Sequence, residues 1–203
     1  MSIELHEGDL PETVRFADAV AVDTETMGLN HHRDRLCLVQ LSGGDGNCHL
    51  VRLAKGRYDA PRLKALMNDA AVTKIFHYAR FDIAMLRRFL GVVPTPVYCT
   101  KIASKLTRTF TDRHGLKDLC KDLLGVELSK EQQSSDWGAL EFTQAQLKYA
   151  AADVLHLHAL RARLDELLLR EGRQELAQAC FRFLPVRAEL DLAGWPEDDI
   201  FAH

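Results

Sequence analysis

Residues 19–29 read AVAVDTETMGL. Small and β-branched apolar residues over 19–22 fit a strand buried on both faces. That run ends on Asp23 and Glu25, with only Thr24 between them. Side chains at i and i+2 of a strand share one face, so the two carboxylates stand roughly 7 Å apart along the backbone. Like charges so placed repel, and burial raises the cost. A cation bound between them would relieve it. A strand running out into a solvated loop would need none, and the pair alone leaves both readings open.

Around this strand the first half of the chain alternates strand and helix signals. LCLVQLS (36–42) and NCHLVRL (47–53) are strand runs joined by the turn GGDG, a hairpin signal. APRLKALMND (60–69) has helical spacing with Pro61 in its first turn. TKIFHY (73–78) reads as a strand and RFDIAMLRRFL (80–90) as a helix stopped by Gly91. VYCT (97–100) is short and β-like and runs into a helix over 100–107. The second half is helical: 114–125 closes on Gly125, 143–172 is one long periodic segment with Thr143 as N-cap, and 173–193 is bent or broken at Pro185. This order predicts an α/β fold with a mixed sheet. A boundary near 110 is conceivable, but one domain over 1–203 is the reading favoured, with 173–203 a helical extension and tail. Trp195, Ile200 and Phe201 make the tail apolar enough to dock on its own domain or on a neighbouring subunit.

Composition removes several classes of function. No apolar run approaches the roughly 20 residues of a membrane span, and the N-terminus MSIELHEGDLPET lacks the basic and apolar regions of a signal peptide. The five cysteines (Cys37, Cys48, Cys99, Cys120, Cys180) form no CxxC, so neither zinc knuckle nor redox motif is indicated. The first three sit in strand-like apolar runs as small buried residues, and the expected compartment is the reducing cytoplasm. A net charge of −3 provides no basic field for duplex nucleic acid, though bound metals could supply positive charge locally.

Two further acidic positions bear on the first pair. Asp82 falls in the first turn of the helix after a strand, where an acid also favours the helix dipole. Tyr149 and Asp153, in YAAADVLHL, are four apart and share a helix face. The three alanines between them leave that face open to close approach. DxE at a strand end, Asp in a strand-to-helix unit, then YxxxD on a late helix is the ordered signature of the DEDDy 3′–5′ exonucleases, which this chain resembles. RLCLVQLS, KIFHYARFDIAML, TKIASKL, RHGLKDLCKDLLG, SSDWG and QLKYAAADVLHL are similar to ribonuclease D segments over about residues 18–165. The resemblance implies a ribonuclease H-like (DnaQ-type) exonuclease fold. It also implies two divalent cations, Mg²⁺ or Mn²⁺, held by Asp23, Glu25, Asp82 and Asp153, with Tyr149 orienting the attacking water. All-oxygen ligands suit those hard cations.

Ribonuclease D carries helical accessory domains after its catalytic domain; the roughly 50 residues after Asp153 are not expected to form them. HRDRLC, TKIASKLTRT, SKEQQSSDW and the ending ACFRFLPVRAELDLAGWPEDDIFAH are similar instead to the single-domain bacterial nanoRNase C proteins. That resemblance implies removal of nucleotides from very short RNA, with dinucleotides such as pGpG preferred, and a ring-like homo-octamer. Leu29 is placed to wedge between bases, or is a core leucine. His77 and Tyr78 could contact sugar or base. Lys101, Lys105, Arg108, Arg113 and His114 form the densest basic cluster and are candidates for a terminal phosphate. Gln132, Gln133, Ser134, Ser135, Asp136 and Trp137 form a polar loop that could close the site. His156 and His158 match no metal set. The rival expectations are a general 3′–5′ exonuclease on longer RNA or DNA, and a non-catalytic nucleic-acid-binding module; the latter is disfavoured because all four carboxylates and the tyrosine are present.

Overall fold

The computed structural model describes residues 2–129, 132 and 135–203. Six strands form one mixed sheet: β1 (Ile3–Glu7), β2 (Ala19–Thr26), β3 (Leu36–Ser42), β4 (Cys48–Arg52), β5 (Thr73–Phe76) and β6 (Val97–Cys99), in the spatial order β1-β4-β3-β2-β5-β6. β2, β3 and β4 run antiparallel to their neighbours in this trio, while β1 pairs parallel to β4, and β5 parallel to both β2 and β6. β3 is buried at every position, as its unbroken apolar run requires of a strand covered on both faces.

Helices α1 (Pro61–Asn68), α2 (Ala79–Leu90) and α3 (Thr100–Thr107) follow strands, as the alternating pattern predicts. Gly91 closes α2 in the left-handed region, at φ 71°, where a Cβ would be strained. β1 was not read from the sequence. Its alternation is weak and it pairs on one side only, so Glu4, Leu5 and Glu7 stay exposed. The strand predicted over 73–78 stops at Phe76, because Tyr78 turns into the left-handed region (φ 67°, ψ 43°) to start α2.

The helical half departs from expectation in two places. The segment 114–125 is a short helix α4 (Leu116–Leu119) continued by a π-type turn over Cys120–Leu124. The single helix expected over 143–172 is two: α5 (Gln144–Leu155) and α6 (Leu157–Arg170), divided at His156. The break takes the chain from α5, which packs on β2, β3 and β4, to α6, which packs on α3. Helical periodicity continues through such a break, so the sequence pattern does not reveal it. At its other end α5 is set by a capping box, with Gln146 N–H donating to Thr143 Oγ1 and Thr143 N–H donating to Gln146 Oε1.

The last helix, α7 (Gln174–Ala193), passes through Pro185 as one element. It is clamped to α2 by the buried Asp191 carboxylate, which accepts from Arg80 at 2.5 and 2.6 Å and from Arg187 at 2.7 Å. The tail folds back on the same two arginines: Arg80 donates to the Pro196 carbonyl, and Arg187 to those of Trp195 and Asp198. Phe201 reaches the Phe183 ring, with centroids 6.0 Å apart. All five cysteines are free thiols. No described helix is long and apolar enough to cross a membrane.

Candidate active site

β2 carries Asp23 and Glu25 to the C-terminal end of the sheet, and the pairing with β3 shifts register between Glu25 and Thr26. Such irregularities re-aim side chains beside functional sites. Opposite them, α5 presents Tyr149 and Asp153. Asp23, Glu25 and Asp153 converge so that one carboxylate oxygen from each lies within 4.8 Å of the others. Between β2 and α5 opens a cleft of about 700 Å³, lined by these three carboxylates with Tyr149, Leu29, His77, Tyr78, Lys101 and Trp137.

Asp82 stands apart from the converging three. It is buried in the first turn of α2, and its Oδ1 accepts a 2.7 Å hydrogen bond from Thr24 Oγ1. Thr24 points to the sheet face opposite Asp23 and Glu25, so one three-residue segment aims two carboxylates at the cleft and positions a third from behind. Gln40 on β3 lies level with Asp23, and its Nε2 donates to Asp23 Oδ2 at 3.2 Å. Neither Thr24 nor Gln40 was singled out from the sequence. The signal for Gln40 was a lone polar residue inside LCLVQLS, which is costly to bury without a task.

The electrostatics of the cluster are one-sided. Burial pushes the Asp23 carboxyl up to about 7. Burial, then the charges of Asp23, Asp153 and Asp82, push Glu25 up to about 10. Asp82 and Asp153 are raised for the same two reasons, burial first and then Asp23. Among the described residues none of the four has a lysine or arginine ion-pair partner; Asp82 is bonded to Thr24, Asp23 to Gln40 and Asp153 to Tyr149. A largely enclosed group of carboxylates, three half-buried and Asp82 buried, without cationic partners and built only of oxygen donors, fits hard divalent cations such as Mg²⁺ or Mn²⁺. Burial and the same negative charges raise the Tyr149 hydroxyl above its ordinary range, so it stays protonated at neutral pH.

The predicted substrate residues divide. Leu29 is 82% exposed at the cleft, which rules out the core-leucine reading. His77 lines the cleft as a neutral imidazole: burial and then Lys101 hold its pKa down to about 3, and Nδ1 lies 2.9 Å from Thr100 Oγ1. Tyr78 adopts the left-handed conformation, a costly backbone state that clusters at functional sites. Lys101 Nζ sits 4.2 Å from the centre of its ring.

The rest of the basic cluster does not converge on the cleft. Arg108 is buried and bonded to Asp122 and the Arg113 carbonyl, so its charge is already matched. Arg113 pairs with Asp118 at 2.8 Å, and His114 Nδ1 lies 2.8 Å from Ser104 Oγ. Lys105 lines a smaller cavity behind Tyr78, with Lys101, Arg80 and Arg187. These residues are neighbours along the chain, but α3 and the following turn point most of them elsewhere.

Of the polar loop, Gln133 and Ser134 lie outside the described residues. Ser135 and Trp137 line the cleft, and the indole ring packs between Phe142 and Tyr149. His158 Nε2 lies 3.1 Å from the Ser42 carbonyl and His156 divides α5 from α6, so neither meets the carboxylates. A second groove of about 730 Å³ adjoins across Met27 and Trp137, but its Arg33 and Arg52 are already paired with Asp34 and Glu7.

Comparison with known proteins agrees with this geometry. Residues 6–169 match the model of a 3′–5′ exonuclease family. The chain is 38% identical over 162 residues to ribonuclease D of Gluconacetobacter diazotrophicus, covering 80% of this chain and 41% of that protein. It thus spans about two fifths of the length of the curated relatives it matches. Brucella melitensis NrnC bound to pGG superposes with a TM-score of 0.97 at 58% identity, over 100% of this chain and 99% of that one. The same protein with bound Mg²⁺ gives 0.96 at 57%, with both chains covered completely. The fold is therefore the DnaQ-type exonuclease fold, and the chain belongs to the 3′–5′ exonuclease family, in the group that contains ribonuclease D and NrnC.

Proposed function

We propose that this chain is a divalent-metal-dependent 3′–5′ exoribonuclease of very short RNA, with dinucleotides such as pGpG as preferred substrates and nucleoside 5′-monophosphates as products. The single observation that carries this reading is the three-carboxylate cluster with Tyr149 in a cleft whose mouth carries the exposed Leu29. End-to-end similarity to an NrnC bound to pGG supports the preference for short chains.

In this reading Asp23, Glu25, Asp82 and Asp153 hold two Mg²⁺ or Mn²⁺ ions. When bound, these supply activation of water and neutralisation of charge in an in-line displacement at phosphorus. The bond between the phosphorus of the 3′-terminal nucleotide and O3′ of its neighbour breaks, the water oxygen takes its place on phosphorus, and O3′ leaves with a proton as the neighbour's 3′-hydroxyl. Gln40 holds the Asp23 carboxylate in place, and Thr24 fixes the orientation of the Asp82 carboxylate. Tyr149 acts by orientation: a hydroxyl whose proton is held so firmly donates to the attacking water and is no base. Leu29 offers an apolar surface on which bases can part and stack. His77, Tyr78 and Lys101 face the sugar and phosphate side.

Homo-oligomeric assembly belongs to the same proposal, up to the octamer implied by resemblance. Exposed Leu169, Leu176, Val186, Trp195 and Phe201 on α6, α7 and the tail support it. The reduced cysteines agree with a cytoplasmic location.

The test is hydrolysis of 5′-labelled RNA of two, three, five and seven nucleotides, with Mg²⁺, with Mn²⁺ and with a chelator. The expected result is rapid, metal-dependent loss of the dimer and slow cutting of longer chains, abolished in Asp153→Asn. Equal rates at all lengths would leave a general exonuclease. Full activity in chelator would overturn the metal reading.

A further inference from the structure

A second group of metal-ligating side chains lies away from the cleft. Glu4 and His6 stand two residues apart on the edge strand β1, and His49 stands on β4 level with Glu4. His6 Nε2 and His49 Nδ1 share a 3.1 Å hydrogen bond, whose proton an ion bound by both would displace to another ring nitrogen, and Glu4 Oε2 lies 3.9 and 3.7 Å from them. Two nitrogens bonded to one tetrahedral zinc ion at their usual lengths stand about 3.3 Å apart. The imidazole pair is therefore already at ligand spacing. Glu4, with about half of its side chain in solvent, needs to move only about half an ångström to complete a three-ligand set.

The histidines are more enclosed than their neighbours on the edge strand. Their side chains are only 15% and 16% exposed, the rings stack at 5.3 Å, and Phe16 covers His49 edge-on at 6.1 Å. Register places this group on its own: His6 lies level with Val51, Val51 with Val39 and Val39 with Thr24. That is the sheet face opposite Asp23 and Glu25, three strands or about 14 Å away.

We propose that Glu4, His6 and His49 form a second metal site, for a zinc-class transition ion, that fastens the edge strand β1 to β4. Two imidazoles and one carboxylate favour zinc, nickel or copper over magnesium, whereas the all-oxygen cluster in the cleft has the opposite preference. The two sites are thus chemically separable. β1 has a single neighbour in the sheet, and an ion bonded to both strands binds the folded state alone and stabilises it.

The experiment is a calorimetric titration of the full chain with Zn²⁺ in excess Mg²⁺, together with thermal unfolding under the same conditions. One Zn²⁺ per chain and a raised unfolding midpoint are expected. Both should persist in the Asp23→Asn/Asp153→Asn double variant and vanish in His6→Ala/His49→Ala, with affinity at least tenfold weaker in Glu4→Gln. Exonuclease activity in Mg²⁺ should be kept by the histidine variant, which shows that it folds. If it does not fold, Glu4→Gln, altered at an exposed position, decides. Zinc binding that survives both variants, or that disappears with the catalytic carboxylates, would overturn the proposal.

Discussion

The contact between Thr24 and Asp82 allows a prediction that tests the metal site through stability. Thr24→Val replaces the hydroxyl by a methyl of similar size, so it leaves no cavity and removes one 2.7 Å hydrogen bond in a buried setting. Without metal, burial first and then the Asp23 charge raise the Asp82 carboxyl well above the ordinary carboxylate range and so favour its protonated form. The lost bond is then neutral and contributes about 0.5–1.5 kcal/mol. With Mg²⁺ bound the carboxylate is ionised, and a bond to a charged acceptor contributes about 1.5–3 kcal/mol. For a chain of this length each kcal/mol moves the melting temperature by roughly 2–4 °C. The variant should therefore melt about 1–6 °C below wild type in chelator and about 3–12 °C below it in saturating Mg²⁺. Paired circular-dichroism melts near pH 6 make the comparison. A deficit in Mg²⁺ equal to or smaller than that in chelator would refute the claim that Asp82 is ionised by bound metal.

Three other outcomes follow from the same geometry. Gln40→Leu should leave stability within about 1 kcal/mol, because a weak bond and an unpaired buried amide oxygen disappear together; a Mg²⁺ titration of activity should show the half-saturating concentration rising and kcat falling about tenfold or more. Leu29→Ala, at an exposed position, should not change the melting temperature yet should raise KM for a dinucleotide several-fold, as steady-state kinetics would reveal. The carboxyls of Asp23 and Glu25 hold protons more tightly folded than unfolded, so without metal they cost stability as pH rises from about 4 through about 7 and on to about 10. Metal binding must expel those protons, so the rise in melting temperature on adding Mg²⁺ should grow between pH 6 and 9. A gain independent of pH would count against proton release.

Much of this protein is legible in its sequence because the deciding signals are local. The burial of β2 and β3 follows from composition alone, and the helix starts and stops at Pro61, Gly91, Thr143 and Gly125 follow from backbone preference. The ordered acidic residues with Tyr149 marked the candidate site, since i and i+2 on a strand and i and i+4 on a helix must share a face. What needed tertiary structure was every relation between segments distant in the chain. Thr24 reaches Asp82 across 58 residues, and Gln40 meets Asp23 only through strand pairing. The basic cluster over 101–114 looks continuous in sequence, yet Arg108 is turned inward to Asp122 while Lys101 reaches the cleft. β1, too weakly patterned to stand out, acquires its role only beside β4, where it brings Glu4 and His6 to His49. Local sequence sets which face a side chain takes on its own element; packing alone decides which other face it meets.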